Sequence, residues 1–490
     1  FNILEKNNIV KPIDIAVTAI SLLKADPNIK KLITKKLELF SPSDTREVII
    51  LLSKFPLLTK VMESCPLPDI DIENLLKFIR KNLLLNISKL KNDTKIIAFQ
   101  VSLTMQCFIN EYLYDETDVE VEKVYELEKL IEVNYQKGIS PTASEIACLS
   151  SYRPLNIYSW ISGISIPNEL NSLYRQQILE TRKELILGKK IPVLKSISNN
   201  VSAKVQSQYE KNPYPRWMSL RLEQEAVSIC NLQNLMKIKI PNHRIYEAKQ
   251  PKILIAGCGT GEHSIETASR FKNCDVTAID LSLNSLAYAK RKTEELKLTN
   301  IKYIQADILD VGEIKRTFDI IESVGVLHHM HDPMAGWRAL VGCLNDSGLM
   351  KIGLYSELAR RHIVKIRDEI NNENINAIDN NIKLFRNRIF SSEKDYYKHT
   401  RVFSDLFNMS SIRDLLFHVQ EHRFSIPKIK CFLENLGLTF CGFEHQNIAQ
   451  IVDEYSFYNE TLYCLDAWEE IESKNPDIFL GMYQFWCQKK

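Results

Sequence analysis

Three glycines and one acid are spaced so that they could bind a nucleoside. Gly257, Gly259 and Gly261 follow the apolar run 253–256, and Asp280 ends a second apolar run, 276–279. Glycines let the backbone turn sharply and approach a ligand closely. A carboxylate at the tip of the next strand can accept hydrogen bonds from both ribose hydroxyls. The pattern therefore predicts a nucleoside site in a parallel α/β sheet.

The elements that would position these residues follow in order along the chain. Further strands are predicted at 301–304, 318–321 and 349–352, with helices such as 285–296 between them. This alternation indicates an α/β fold with a doubly wound, Rossmann-like sheet. The spacing Gly-x-Gly-x-Gly differs from the Gly-x-Gly-x-x-Gly of dinucleotide sites. A tight strand-to-helix connection without a ligand is the alternative for the turn taken alone.

In combination these motifs resemble the class I S-adenosylmethionine-dependent methyltransferases, over roughly Tyr209–Tyr355. The resemblance implies S-adenosylmethionine as cofactor. It implies a methionine-binding turn, a ribose-binding acid, an acidic-apolar pair beside the adenine and a fourth motif that lines the cofactor. The residues implied in that order are Gly257, Cys258, Gly259 and Gly261; Asp280, followed by Leu281; Asp307 and Ile308; and Ser323, Val324 and Gly325.

A stiff elbow with two prolines, 207–217, precedes the sheet. Tyr209 and Arg216 could cover the cofactor as a lid, and a packed linker between domains is the alternative. The stretch 212–215 is not the Asn-Pro-Pro-Tyr motif of amide and adenine N-methyltransferases. That motif follows the fourth strand, where this chain has 322–325. Methylation of adenine N6 or of a glutamine amide is therefore disfavoured.

The sequence divides into four predicted regions. Residues 1–205 show helical periodicity and should form an all-α region for oligomerisation or substrate recognition. Residues 206–355 should form the Rossmann-like cofactor domain. Residues 356–427 are charged, helical and longer than a connection needs. They follow the fifth strand, on the edge of the sheet where ligands bind, so they predict an insertion that builds the acceptor site. Residues 428–490 should complete the sheet.

Helical periodicity predicts several helices in the N-terminal region. Their predicted bounds are Ile13–Leu23, Thr45–Leu52, Ile72–Leu85, Ile96–Tyr114 and Leu127–Tyr135. Helix caps are expected at Ser41 or Ser43 and at Ser140 or Thr142.

Composition predicts a cytoplasmic enzyme of bacterial type. The formal net charge of +2 does not favour nucleic acid or acidic membranes as partners. The 11 cysteines include no CxxC pair, which indicates reduced thiols. The most apolar stretch, 96–109, is too short and too polar to span a bilayer, so no membrane insertion is expected. No signal peptide is visible, although the sequence begins at Phe1.

Over the whole chain, the core, the elbow and the run 415–424 resemble the rickettsial protein lysine methyltransferases that modify outer-membrane protein B. The resemblance implies lysine acceptors on a large protein substrate and a homodimer. Candidate groups at the catalytic site are Tyr355, His329, Glu421 and His422. No strong base is required, because a dry cavity and the sulfonium charge both lower the pKa of the acceptor lysine.

Other interpretations of the sequence stay open. A methyltransferase acting on RNA or a small molecule is one alternative, and a binding scaffold without chemistry is another. His328, His329 and His331 could suggest a metal site, but two of them match the ordinary Leu-His-His of the fourth motif. No metal is expected.

Overall fold

The computed structural model describes residues 4, 9–34, 41–90, 93–223, 225–444, 451 and 461–490. The chain forms two compact units. The helical unit comprises Phe1–Lys183, Arg216–Arg221 and Asn374–Leu415. The sheet unit comprises Glu184–Pro215, Leu222–Glu373 and Leu416–Lys490. The predicted insertion 356–427 thus contributes residues to both units.

The helical unit is built from short amphipathic helices around two apolar cores. Its N-terminal helices are Pro12–Ala25, Pro27–Thr34, Pro42–Leu52, Pro56–Met62, Ile70–Leu85, Thr94–Ile109, Asp118–Gln136, Ala143–Ser150 and Asn171–Tyr174. From the insertion it gains Asp379–Ser391 and Asp395–Thr400. The helices Thr181–Gly188 and Met409–Phe417 each contain a boundary between units. No helix of the described residues is both long and apolar enough to cross a membrane.

Local side-chain caps explain where several of these helices begin. Ser41 and Asp44 form a capping box at Pro42–Leu52, and Thr142 and Glu145 form another at Ala143–Ser150. In each box a side-chain oxygen satisfies an amide that has no partner within the helix. The predicted caps at Ser41 and Thr142 are confirmed.

One predicted helix ends early. Sequence periodicity extends to Tyr114, but the helix stops at Ile109 and Asn110 caps it. Glu111 and Tyr112 have φ angles of +59° and +56°, a backbone conformation that a right-handed helix excludes. Apolar spacing alone does not reveal this break.

The sheet unit contains seven strands in the order β3-β2-β1-β4-β5-β7-β6. Their bounds are β1 Lys252–Ala256, β2 Asp275–Asp280, β3 Ile301–Gln305, β4 Phe318–Val324, β5 Leu344–Leu354, β6 Leu438–Phe443 and β7 Tyr483–Lys489. Strands β1 to β5 pair in parallel, and β7 is antiparallel to both of its neighbours. The predicted doubly wound, Rossmann-like fold is confirmed.

Helices cover both faces of this sheet. Leu254 of β1 faces the core formed with Pro333–Gly342, Ile426–Asn435 and Leu465–Lys474. Ile255, the next residue, faces the opposite core. The second core includes residues from the helices Ile229–Met236, Glu262–Arg270 and Leu283–Glu295. Burial on both faces explains why β1 is a continuous apolar run. The helices Asn200–Lys211 and Arg361–Asn372 complete the sheet unit.

Candidate functional site

The glycine turn after β1 is held by hydrogen bonds within the sheet unit. Gly257, Gly259 and Gly261 all have positive φ angles, of 79°, 51° and 90°. The amides of Gly257 and Cys258 donate to the carbonyl oxygen of Ile279 at 2.9 and 3.0 Å. The Gly261 amide donates to the carbonyl of Cys258 at 2.9 Å. These φ angles favour glycine, so the residue type and the turn geometry agree.

Asp280, at the carboxyl end of β2, ties this turn to the following loop. Its Oδ2 accepts the amide of Gly259 at 2.8 Å, and its Oδ1 accepts the amide of Ser282 at 2.9 Å. Burial raises the pKa of Asp280, although these two hydrogen bonds lower it. Each carboxylate oxygen retains a second lone pair, so the group can also accept hydrogen bonds from a ligand.

The fourth motif packs directly on the glycine turn. A Cβ on Gly257 would lie 2.4 Å from Cγ2 of Val326, so this glycine makes room for a side chain of the protein. Ser323 Oγ donates to the carbonyl of Ala256 at 3.2 Å, and the Gly325 amide donates to Gly353 at 3.2 Å. The ends of β1, β4 and β5 are therefore fixed to one another at the ligand-binding edge.

The predicted adenine-side residues lie after β3. The Asp307 carboxylate accepts the amide of Leu309 at 3.0 Å and caps the 3-10 helix Ile308–Ile314. Ile308 is buried in the same core as Leu254 of β1. The carbonyl of Leu281 accepts the side chain of Gln305 at 2.8 Å. This hydrogen bond joins the end of β3 to the loop that follows Asp280, which we call the ribose-side loop.

The two predicted lid residues belong to different units. The Tyr209 ring lies in the sheet unit, 5.8 Å from the ring of His418. Arg216 belongs to the helical unit, where its Nε lies 3.3 Å from Oε1 of Glu111. Its guanidinium also lies 5.8 Å from the Phe108 ring. A cofactor role for Arg216 stays a prediction.

Aromatic and imidazole rings cluster at the ends of β4 and β5. The ring of His329 stacks on His418 at a centroid distance of 3.6 Å and an angle of 22°. The ring of His328 lies 4.0 Å from that of Tyr355, and Tyr355 is 9% exposed. His329 and Tyr355 were predicted from the sequence as catalytic groups, whereas His418 was not. His418 lies far from His329 along the chain, so the sequence does not reveal that their rings stack. The only sequence signal for His418 was its place in the run 415–424.

Hydrogen bonds assign the tautomers of the two neighbouring histidines. His329 Nδ1 lies 2.6 Å from the carbonyl oxygen of Gln420, which can only accept, so Nδ1 carries the proton. Burial, reinforced by the charges of Arg360 and Arg367, lowers the pKa of His329 to about 3. Its Nε2 is therefore unprotonated and accepts from Nε2 of His328 at 3.1 Å. Both nitrogens of His329 are engaged by the protein, which makes it a positioning group.

This assignment leaves His328 Nδ1 unprotonated. The His328 side chain is fully buried. Burial lowers the pKa of His328 well below its usual value. From the sequence, His328 was expected to be part of the Leu-His-His of the fourth motif, with a metal site as the alternative.

Glu421 anchors the run 415–424 through buried ion pairs. Its side chain is 1% exposed, and its Oε2 accepts Nη2 of Arg360 at 2.7 Å. Guanidinium nitrogens of Arg367 and Arg423 each lie 3.8 Å from a carboxylate oxygen of Glu421. The Arg360 guanidinium also covers the Tyr355 ring at 3.6 Å. Glu421 therefore belongs to the same cluster as Tyr355.

His422 joins this cluster to the fourth motif. Its amide donates to the carbonyl of His328 at 2.7 Å. Its Nε2 lies 3.3 Å from the carbonyl oxygen of His331 and 3.1 Å from Nε2 of Gln420. All four predicted catalytic residues thus lie in one connected network, although their roles stay predictions.

The hydrogen-bond acceptors at the glycine turn fit S-adenosylmethionine. The amides of Gly257, Cys258, Gly259 and Gly261 all donate to protein acceptors. The turn therefore offers a ligand its carbonyl oxygens and the Asp280 carboxylate, which are acceptors. The cofactor has hydrogen-bond donors to match, in its ammonium group and ribose hydroxyls. A pyrophosphate would require amide donors instead.

Comparison with known proteins identifies the domain. A family model described as a methyltransferase domain matches residues 253–348. An uncharacterised protein from Synechococcus sp. is 30% identical over 252 residues, which are 47% of this chain and 60% of that protein. (S)-coclaurine N-methyltransferase from Papaver somniferum is 34% identical over 98 residues, 20% of this chain and 28% of that enzyme.

Among solved structures, PKMT2 from Rickettsia typhi is similar, with a TM-score of 0.40 and 14% identity over 53% of this chain and 52% of its own. This chain spans 60% of the Synechococcus protein and a smaller share of the Papaver enzyme. The matched region is a class I methyltransferase domain, for which S-adenosylmethionine is the cofactor. The predicted class, fold and cofactor are confirmed.

Proposed function

We propose that this chain is an S-adenosylmethionine-dependent methyltransferase that methylates lysine side chains of a bacterial outer-membrane protein. The observation that supports the cofactor part of the proposal is the glycine turn, where the amides of Gly257, Cys258, Gly259 and Gly261 donate to protein acceptors and the Asp280 carboxylate can still accept from a ligand. The bound cofactor supplies an activated methyl group on a sulfonium. The protein must then align the acceptor nitrogen and exclude water.

The electrostatics of the histidine cluster support a neutral amine as acceptor. His329 has a pKa of about 3 because it is buried and lies near Arg360 and Arg367. The same surroundings would lower the pKa of an amine brought beside it. A lysine must lose its proton before it can attack, so this environment favours the reactive form.

The experiment follows labelled methyl transfer from S-adenosylmethionine into purified outer-membrane protein, tRNA and a metabolite extract. We expect label in lysine residues of the protein and none after its amines are acetylated. Transfer to acetylated protein at the normal rate, or mass spectrometry that places the methyl group on another side chain, would refute a lysine acceptor.

Asp280→Ala tests the cofactor site. It removes the acceptor of the Gly259 and Ser282 amides, and we expect cofactor binding to weaken by about 1.5–3 kcal/mol. Calorimetry on the folded variant measures this change. His422→Ala lies outside the cofactor motifs and should reduce methyl transfer more than cofactor affinity.

A small-molecule amine is the second candidate acceptor. Its support is the similarity to (S)-coclaurine N-methyltransferase over 98 residues. Label found in the metabolite fraction and absent from protein would favour this candidate. Label in tRNA would favour the RNA alternative, and cofactor binding without transfer would favour a scaffold.

A further inference from the structure

The helix Asn200–Lys211 is tied to the loop that follows Asp280. Gln206 Nε2 donates to the carbonyl of Leu281 at 3.2 Å, and Ser282 Oγ donates to the carbonyl of Tyr209 at 3.2 Å. The side-chain amide of Asn284 donates to the carbonyl of Glu210 at 2.7 Å. The C-terminal part of this helix is therefore hydrogen-bonded to the ribose-side loop.

The Glu210 carboxylate makes the strongest of these connections. Its Oε1 accepts the amide of Leu283 at 2.7 Å, and its Oε2 accepts the amide of Asn284 at 3.0 Å. These are the first two amides of the helix Leu283–Glu295, whose third is capped by Ser282. A carboxylate at a helix N-terminus satisfies amides that lack helical partners and interacts favourably with the helix dipole.

The chain after Glu210 continues across the glycine turn. The hydroxyl of Thr260 donates to the carbonyl of Pro215. The carbonyl oxygen of Tyr214 lies 2.7 Å from the position that a Cβ on Gly259 would take. The segment 206–215, which we call the strap, thus contacts both the ribose-side loop and the methionine-side turn.

We infer that Glu210 is a positioning residue that latches the strap over the cofactor site and slows release of S-adenosylmethionine. This inference rests on the proposed function. Glu210 holds the first turn of Leu283–Glu295, and this turn follows Asp280 by three residues. Loss of the Glu210 carboxylate removes two of the hydrogen bonds between the strap and the loop, so the strap is held less firmly and the bound cofactor leaves more readily. Glu210 does not contact the reacting atoms.

The test compares Glu210→Ala and Glu210→Gln with wild type in the full chain. Calorimetry gives the Kd for S-adenosylmethionine, stopped-flow competition gives its dissociation rate, and thermal unfolding reports stability. For Glu210→Ala we expect Kd and the dissociation rate each to rise about tenfold or more, as for loss of hydrogen bonds to a charged group. The KM for the cofactor should rise while kcat changes less than about twofold. Glu210→Gln keeps one acceptor oxygen and should be intermediate.

Asp319→Ala is the matched control. Asp319 accepts the amide of Lys252 at 2.8 Å and the side chain of Asn345 at 2.7 Å, at the opposite ends of the strands. We expect this variant to lower stability while leaving Kd and the dissociation rate unchanged. Wild-type kinetics of release in folded Glu210 variants would overturn the inference, as would an equal loss of affinity in Asp319→Ala. Absence of cofactor binding in the wild-type chain would instead overturn the proposed function and the inference together.

Discussion

Two adjacent histidines, His328 and His329, follow β4 as neutral groups, and each depends on the other for its tautomer. His329 donates to Gln420 and accepts from His328. Glu322 is also buried, and His263 Nε2 lies 2.5 Å from one of its carboxylate oxygens. There burial raises the pKa, but the charge and hydrogen bond of His263, together with the charges of Arg270 and Lys351, lower the pKa of Glu322 to about 2. At the residue scale, burial and local charge thus select the protonation state.

The depressed pKa of His329 predicts acid sensitivity of the fold. Its pKa is about 3 in the folded chain, while an unfolded histidine has about 6.5. Below pH 6.5 the unfolded state therefore binds a proton that the folded state does not, and stability falls as pH falls towards 3. From pH 7.5 to 5.0 this one group should remove about 2 kcal/mol of unfolding free energy.

Urea unfolding of wild type and His329→Gln at these two pH values measures the contribution. The variant lacks the titrating ring, so its stability should fall less between pH 7.5 and 5.0, whatever its stability at pH 7.5. An equal fall in both proteins would show that His329 does not contribute.

At the scale of elements, the glycines of the turn make room for other parts of the protein. Close backbone approach to a cofactor was the expected reason for the glycines. The structure adds a second reason, because Gly257 admits Val326 and Gly259 admits the Tyr214 carbonyl. A substitution in this turn therefore acts first on the protein itself and only then on the ligand.

Gly259→Ala should displace the strap. Gly259 has a φ of +51°, and an added Cβ would meet the Tyr214 oxygen at 2.7 Å. We expect a loss of about 1–3 kcal/mol of stability together with weaker cofactor binding. Thermal unfolding and calorimetry measure the two effects. Gly312→Ala is the control, because nothing lies within 4 Å of its Cβ position and its φ is not positive. Unaltered stability in Gly259→Ala would contradict the proposed role of the turn.

At the scale of the whole molecule, distant segments combine into each unit. The helical unit joins its N-terminal helices to Asn374–Leu415 through a buried ion pair. Arg386 Nη1 and Nη2 donate to the two oxygens of Glu73 at 2.8 and 2.6 Å, and both side chains are 2% exposed. The acceptor role predicted for the entire insertion 356–427 stays a prediction, and its central part has this packing role as well.

Removing one partner of this pair should be costly. Arg386→Met leaves the Glu73 charge buried without its counterion, so we expect a loss of about 3–5 kcal/mol of unfolding free energy in urea. The double variant Glu73→Met with Arg386→Met should recover much of that loss, because neither charge remains. Lys398→Ala breaks an exposed pair with Glu393 and should change stability by less than about 1 kcal/mol. Equal effects of Arg386→Met and Lys398→Ala would argue against a stabilising role for the buried pair.

The sequence alone determined the class of the domain, the succession of its first five strands and the glycine turn that is predicted to bind the cofactor. Apolar runs, glycines that require positive φ and capping residues are local signals, since hydrogen bonding and burial within a few residues produce them. Only the tertiary structure decided that Glu210 caps a helix 73 residues away, that His329 binds a carbonyl 91 residues away and that Arg386 pairs with a residue 313 positions away. Such partners leave no periodic signal, because the path of the whole chain brings them together.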